Sequence, residues 1–508
     1  MIFGTRSNYM MKYQKAKAKL VEYNTPLEEY PHFALNSNEL SLPTTYVISK
    51  YAEAIIENNK ADISEFEPLL SQSAQYYDAA FNSKDRQNYD VDFLLSGASA
   101  YFLSNNFGSS KVLIVKLLST FNDKNKTPQL LLLSIYSYLL LQKQLSYIKI
   151  TDTFSKINNA FLDCFEKGAN ASVLKAHLTD YRNEIYNKDD PDEVFFVDII
   201  IASIYKAIEN SSWVLLPKYS DVPIEEWGNY LKTKSSLKML WPAQRLVAEK
   251  GILRGENAIV QLPTGVGKTK SIELIIRTAF LAERADTAMV IAPLRALCNE
   301  ITNDMHKAFR DVASVNQFSD VLQNDFLALF GANTTKQILI CTPEKLSYIM
   351  HHQPEILDVI DLFLFDEGHM FDDAGRGVTY ELLVTHIRNE LTDNQQVVLL
   401  SAVLPNANEI KEWLFREDGV LASDPNILST PKSIGFVSEQ SDIHFYTDDP
   451  YNEDYYIPRI LQVCELKKHP RERNPRFFPD LSSSYDIAIY NAMKLWAIYI
   501  RKTSKRIR

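Results

Sequence analysis

The run Pro263-Thr264-Gly265-Val266-Gly267-Lys268-Thr269 holds the residue types that bind a polyphosphate. Gly265 and Gly267 permit a tight turn that aims backbone N–H groups inward, and a helix beginning after the turn adds the positive end of its dipole. Lys268 is spaced to reach the β and γ phosphates of ATP, and the Thr269 hydroxyl to help hold Mg2+. A second group, Asp366-Glu367-Gly368-His369, follows the apolar run Leu362 to Phe365. At the end of a buried strand, Asp366 suits Mg2+ binding through water, and Glu367 suits polarisation of an attacking water. An acidic pair alone carries no function; beside a phosphate loop it completes a site for triphosphate hydrolysis. His369 reads as a relay between the nucleotide and Ser401.

These residues need a scaffold that brings distant loops together. From residue 241 onward, short β-rich runs end at polar or glycine-bearing turns and are followed by helical patterns: Ala258 to Gln261, Ala288 to Ala292, Gln337 to Cys341, Leu362 to Phe365 and Gln396 to Leu400. Strands alternating with helices, themselves almost continuously apolar, predict a parallel sheet covered on both faces. In such sheets ligands bind beyond the carboxyl ends of the strands, where both motifs fall. From about 40 to 215 the spacing is helical, with Ile48, Ala52 and Ile55 on one face, and no fixed repeat period emerges. The expected division is an all-α domain over 1–215, a linker over 216–240, an ATP-binding domain over 241–435 and a connecting segment over 436–508.

The residues from Trp241 to about Leu414 resemble the DExH helicases of superfamily 2, within the Ski-like branch. Members commonly lack the first glycine of the general phosphate-loop pattern, and this chain has Leu262 there. The resemblance implies an α/β RecA-like motor domain, here behind an all-α N-terminal domain. It also implies roles for further residues. Gln244, in Trp241-Pro242-Ala243-Gln244, would read the adenine edge. Pro293 and Arg295, and Thr342, Pro343 and Lys345, lie in two elements that would grip the phosphates of a single DNA or RNA strand without reading bases. Arg376-Gly377 with Glu381 matches the continuation beyond the DExH group. Ser401-Ala402-Val403 resembles the coupling motif, with valine where the family usually has threonine.

Such a motor uses a second RecA-like lobe that supplies arginine fingers, and no Q-x-x-G-R-x-x-R pattern follows Ser401. The segment Ser482 to Trp496 reads as a helix leading into that lobe. Two readings stand: a fragment of a longer helicase, which is favoured, or a chain whose partner provides the lobe in trans. Either implies weak ATP hydrolysis by these residues alone. An ATP-gated scaffold that recruits a protein partner through the helical half is the alternative to a motor. The layout is also similar to the helicase subunits of bacterial antiphage systems of the Hachiman type, where the motor is paired with a nuclease.

Composition narrows the setting. The 508 residues are 46% hydrophobic and 23% charged, which fits a folded multidomain chain. A net charge of -10 argues against coating nucleic acid by bulk electrostatics, so strand contact must be local. Basic clusters at Lys467 to Arg476 and Arg501 to Arg508 read as solvated surface, although Tyr485 and Tyr490 are candidates to stack on bases. The longest apolar stretch, Leu130 to Leu141, is too short to cross a bilayer, and no secretory signal is visible. Four scattered cysteines form no disulfide framework or paired metal site, which fits a reducing cytoplasm. His351-His352 reads as a helix end, and the acidic pairs at 189–190 and 448–449, before prolines, read as turns.

Overall fold

The computed structural model describes residues 37–82, 91–120, 127–145, 152–188, 190–233, 236–310, 312–318, 336–372, 375–416 and 418–428, five short strands up to residue 478, and isolated positions before residue 37. The basic cluster at 501–508, most of that at 467–476, the expected helix at 482–496 with Tyr485 and Tyr490, Asp189 and the pair at 448–449 lie outside the described residues. The chain divides into two compact units. One comprises Met1–Tyr136, Ile185–Ser203 and Thr430–Arg508, the other Ser137–Glu184 and Ile204–Ser429.

The helical region is built from α1 (Ser37–Glu57), α2 (Lys60–Asn82), α3 (Val91–Leu103), α4 (Phe107–Thr120), α5 (Thr127–Leu141), α6 (Asp152–Lys167), α7 (Ala171–Tyr186) and α8 (Pro191–Glu209). Helix α3 is apolar all round and is buried continuously from Leu94 to Leu103, as a central helix must be. Helix α6 instead buries one stripe, Phe154, Ile157, Phe161, Cys164 and Phe165, at helical spacing. In the first unit the buried Tyr136 hydroxyl is satisfied by Ser203 Oγ at 2.8 Å. No helix among the described residues is long and apolar enough to cross a membrane.

The stretch 216–240, expected as a linker, is instead folded into the second unit. It carries the end of α9 (Ser212–Ser220) and all of α10 (Ile224–Leu231). Trp227 is 0% exposed and joins the same apolar core as strand residues of the sheet. Its indole N–H donates to Ser220 Oγ at 3.1 Å. The Lys238 ammonium donates to the carbonyls of Leu231 and Thr233, closing the end of α10. The apolar signal covers barely two helical turns, too short for periodicity to reveal.

Beyond α11 (Pro242–Glu249) come β1 (Ala258–Gln261), α12 (Lys268–Leu281), β2 (Thr287–Ile291), α13 (Arg295–Ala308), β3 (Ala313–Gln317), β4 (Lys336–Cys341), α14 (Pro343–His352), β5 (Leu362–Phe365), α15 (Gly377–Glu390), β6 (Gln396–Ser401), α16 (Ala407–Phe415) and β7 (Val420–Ser423). Among the described residues these strands form a seven-stranded sheet in the order β3-β4-β2-β5-β6-β1-β7, and every pair is parallel. Alternate side chains enter two cores. Ala258, Val260, Val290, Ile340, Leu364 and Val398 face one, and Ile259, Met289, Ile291, Leu339, Phe363 and Leu399 face the other. Burial on both faces is why these strands read as unbroken apolar runs.

The five expected strands are all present, within a residue at either end. Strands β3 and β7 were not expected; they occupy the two edges, and β3, with sequence ASVNQ, is mostly half-exposed and polar. In the first unit, β8 (Gly435–Val437), β9 (Ile443–Tyr446) and β10 (Glu453–Ile457) form an antiparallel sheet, and β11 (Cys464–Leu466) pairs with β12 (Arg476–Phe478).

Candidate functional site

Strand order decides which motifs meet. The phosphate loop follows β1 and the DExH group follows β5, and β6 lies between them. Ser401 ends β6 in register with Gln261, and its carbonyl accepts the N–H of Leu262 at 2.8 Å. On the other side β5 pairs with β2, where the Asp366 N–H donates to the Ile291 carbonyl at 2.8 Å. Strand β2 in turn pairs with β4, so the elements at Pro293 and Thr342 are also neighbours. These motifs therefore all lie at the carboxyl ends of neighbouring parallel strands.

The loop Pro263–Thr269 turns as its glycines require. Gly265 and Gly267 have φ of 84° and 96°, a region that side chains with a Cβ rarely adopt. A Cβ on Gly267 would stand 2.9 Å from Gln244 Nε2. Gln244 is 2% exposed, and its amide nitrogen donates to the Gly267 carbonyl at 3.0 Å. The structure thus brings Gln244 onto the phosphate loop itself. Thr264 and Gly265 are exposed, Pro263 and Thr269 half-buried, and Val266 is packed into the core.

Lys268 Nζ meets Glu367 Oε1 at 2.8 Å, bridging the loops after β1 and β5. Glu367 has φ 55°, a left-handed conformation that costs a non-glycine residue about 1 to 3 kcal/mol. Its N–H donates to Asp366 Oδ1 at 3.0 Å. Burial lifts the Asp366 carboxyl above its ordinary range, the Lys268 charge opposes that, and the Glu367 charge adds to it. Glu367 Oε2 is buried without a hydrogen-bond partner, although His369 Nδ1 lies 3.2 Å away. The expected relay from His369 to Ser401 is not formed: His369 faces Glu367, and the Ser401 hydroxyl donates to the Val403 carbonyl at 3.2 Å. Val403 itself is exposed.

A cleft of about 610 Å3 opens where β2 and β4 end. Pro293, Arg295, Thr342 and Lys345 line it, so four of the five residues expected to contact a strand converge there. Pro343 is buried at the start of α14, where its fixed φ sets the first turn. Leu294 and Glu344, which lie within the two strand-gripping elements, Arg376 of the continuation beyond the DExH group, and Tyr348, which the sequence did not single out, complete the lining. Arg376 Nε donates to Glu344 Oε1 at 2.6 Å, and its Nη2 donates to the Pro293 carbonyl at 2.7 Å, fastening both elements to the segment after the DExH group. Burial pushes the Glu344 carboxyl up, but hydrogen bonds from its own backbone, Arg376 and Thr342 outweigh this and hold it below its ordinary range. Gly377 allows the approach, because a Cβ there would stand 2.6 Å from the Phe371 carbonyl oxygen.

A parallel sheet with a phosphate loop after β1, an acidic pair after β5 and a cleft after β2 and β4 defines a RecA-like nucleotide-binding lobe. The sequence profile of the DEAD/DEAH box helicase family matches residues 241–410. Over 94% of its length the chain is similar to the Hachiman protein HamB of Bacillus cereus, at 23% identity and covering 45% of that protein. It is also similar to the ATP-dependent DNA helicase Hel308 of Pyrococcus horikoshii, at 29% identity over 39% of this chain and 26% of the relative. The crystal structure of the DUF1998 helicase MrfA bound to DNA is similar at 20% identity and a TM-score of 0.32, covering 40% of this chain and 30% of that one. The chain spans less than half the length of these curated relatives.

Proposed function

We propose that this chain provides the ATP-binding lobe and N-terminal region of an ATP-dependent helicase or translocase acting on a single strand of DNA or RNA. In this reading residues 241–435 are the motor lobe with 216–240 packed into its core, the helices within 1–215 precede it, and 436–508 are a segment leading toward a second RecA-like lobe. The observation that carries it is the Lys268–Glu367 bridge at 2.8 Å, which puts the phosphate-loop cation against the DExH carboxylate beside the strand cleft.

The residues fit ATP with Mg2+. Turned backbone N–H groups and Lys268 suit the phosphates, and Thr269 and Asp366 are oxygen donors of the kind Mg2+ prefers. The orphaned Glu367 Oε2 calls for a partner that a bound water would supply. Bound Mg2+ neutralises phosphate charge. The chain's own residues do the rest: Lys268 leaves Glu367 for the β and γ phosphates, the freed carboxylate orients a water and takes its proton, and His369 stays beside Glu367. Gln244 bonds the loop at Gly267 and reads the adenine edge of the nucleotide. Ser401, on the strand between the two carboxyl-end loops, couples their movement. An arginine from a second lobe, in cis or in trans, contributes about a thousandfold or more, so turnover by this lobe alone is slow.

The similarity to HamB over nearly the whole chain favours a setting in antiphage defence, with the helical region recruiting a protein partner such as a nuclease in the cytoplasm. The discriminating experiment is phosphate release from ATP by the full chain and its Lys268→Ala variant, with and without single-stranded DNA and RNA. Stimulation by a strand in the full chain, lost in the variant, supports a motor. Turnover indifferent to either strand would leave the scaffold reading in its place.

A further inference from the structure

We propose that Tyr348 is a base-stacking platform of the strand cleft, so that the site holds an unpaired base as well as phosphates. This rests on the reading of the cleft as a strand site. Helix α14 contributes Glu344, Lys345 and Tyr348 to the cleft, whose lining carries two kinds of chemistry. Arg295 and Lys345 supply positive charge, whereas the Arg376 charge is matched by Glu344. The net excess of cation suits a phosphate backbone. Tyr348 adds an aromatic face to the same cavity.

Its placement follows from helix geometry. Lys345, Tyr348 and His352 lie three and four residues apart, on one side of α14. The Lys345 ammonium stands 5.7 Å from the Tyr348 ring centroid, and the Tyr348 and His352 rings lie 4.2 Å apart at 34°. The His352 ring is anchored by Nδ1 against the Tyr348 carbonyl at 2.8 Å. Tyr348 therefore packs against a ring and has a mobile cation over it that a phosphate can draw away, yet it is 39% exposed. Core filling does not account for a large aromatic held this way at the mouth of a basic cavity. A strand whose phosphate sits between Arg295 and Lys345 runs its next base over this ring. Stacking uses the π-face that every base has, so it is indifferent to sequence but demands a base freed from its duplex neighbours.

The test is equilibrium binding of the full chain to oligothymidylate and oligouridylate, each beside a strand of equal length with abasic positions. Tyr348→Ala is expected to weaken binding of one or both intact strands by about tenfold or more. Tyr348→Phe is expected to bind within about twofold of wild type, because the ring and not the hydroxyl does the stacking. On the abasic strands Tyr348→Ala and wild type should bind alike, and the slope of affinity against salt should be unchanged, because no phosphate contact is lost. Equal binding of intact strands by Tyr348→Ala and wild type overturns the inference, as does an equal loss on intact and abasic strands. If wild type binds strands but Arg295→Ala and Lys345→Ala bind them as well as wild type, the strand reading of the cleft fails first, and this inference with it.

Discussion

Glu367 sits in a left-handed backbone conformation, bonded to Lys268 on one oxygen and unpartnered by hydrogen bonds on the other. Strain at such a position persists where the surroundings over-determine it, which is the usual condition of a reacting group. Replacing the carboxylate with an amide keeps size and shape but removes the base. Glu367→Gln is therefore expected to bind ATP while hydrolysing it about 100- to 10,000-fold more slowly, read by phosphate release under saturating ATP. Undiminished turnover would assign the proton transfer elsewhere. At this scale much of the site was legible: glycine, lysine and acidic residues at fixed spacing carry their chemistry with them. What the sequence hid were partners. Gln244 clasps the Gly267 carbonyl, and His369 turns to Glu367 and away from Ser401, because side-chain direction depends on residues distant in the chain. Tyr348 is one of 27 tyrosines and is distinguished only once α14 and the cleft are in place.

The elements that carry the motifs are joined by contacts whose strength can be tested. The Glu344–Arg376 pair ties α14 to the start of α15. Because the folded Glu344 carboxyl lies below its ordinary value of 4.5, the pair's stabilisation is full above that value and is lost as pH falls through the depressed one. Arg376→Ala should accordingly lower the melting temperature at neutral pH, with the difference shrinking as the solution is acidified below 4.5. A difference that holds constant into acid would mean Arg376 acts through the Pro293 carbonyl alone. Element prediction succeeded where burial on both faces made β1, β2, β4, β5 and β6 continuously apolar. It missed β3 and β7 because an edge strand has one neighbour and weaker demands on its composition. It took 216–240 for a linker, whereas Trp227 is wholly buried there. Trp227→Ala is expected to destabilise the second unit by about 3 to 5 kcal/mol, measured by chemical denaturation. A loss near zero would restore the linker.

On the scale of the whole molecule, the carboxyl ends of the sheet's strands present both the Pro263–Thr269 loop and the cleft lined by Arg295 and Lys345, and helices occupy the chain before them. The sheet class followed from alternating strand and helix patterns, while the division into two units, which passes within α5, α7 and α8, had no sequence signal because the helices continue across it. The helicase profile matches residues 241–410, and the similarity to HamB extends over 94% of the chain, the helical region included. If the loop Pro263–Thr269 is an ATP site, nucleotide binding depends on Lys268. Equilibrium binding of a fluorescent ATP analogue in Mg2+ to the 508-residue chain and its Lys268→Ala variant tests it most directly. Saturable binding by the chain, lost in the variant while its melting profile is retained, is the predicted result; equal binding by both would contradict it.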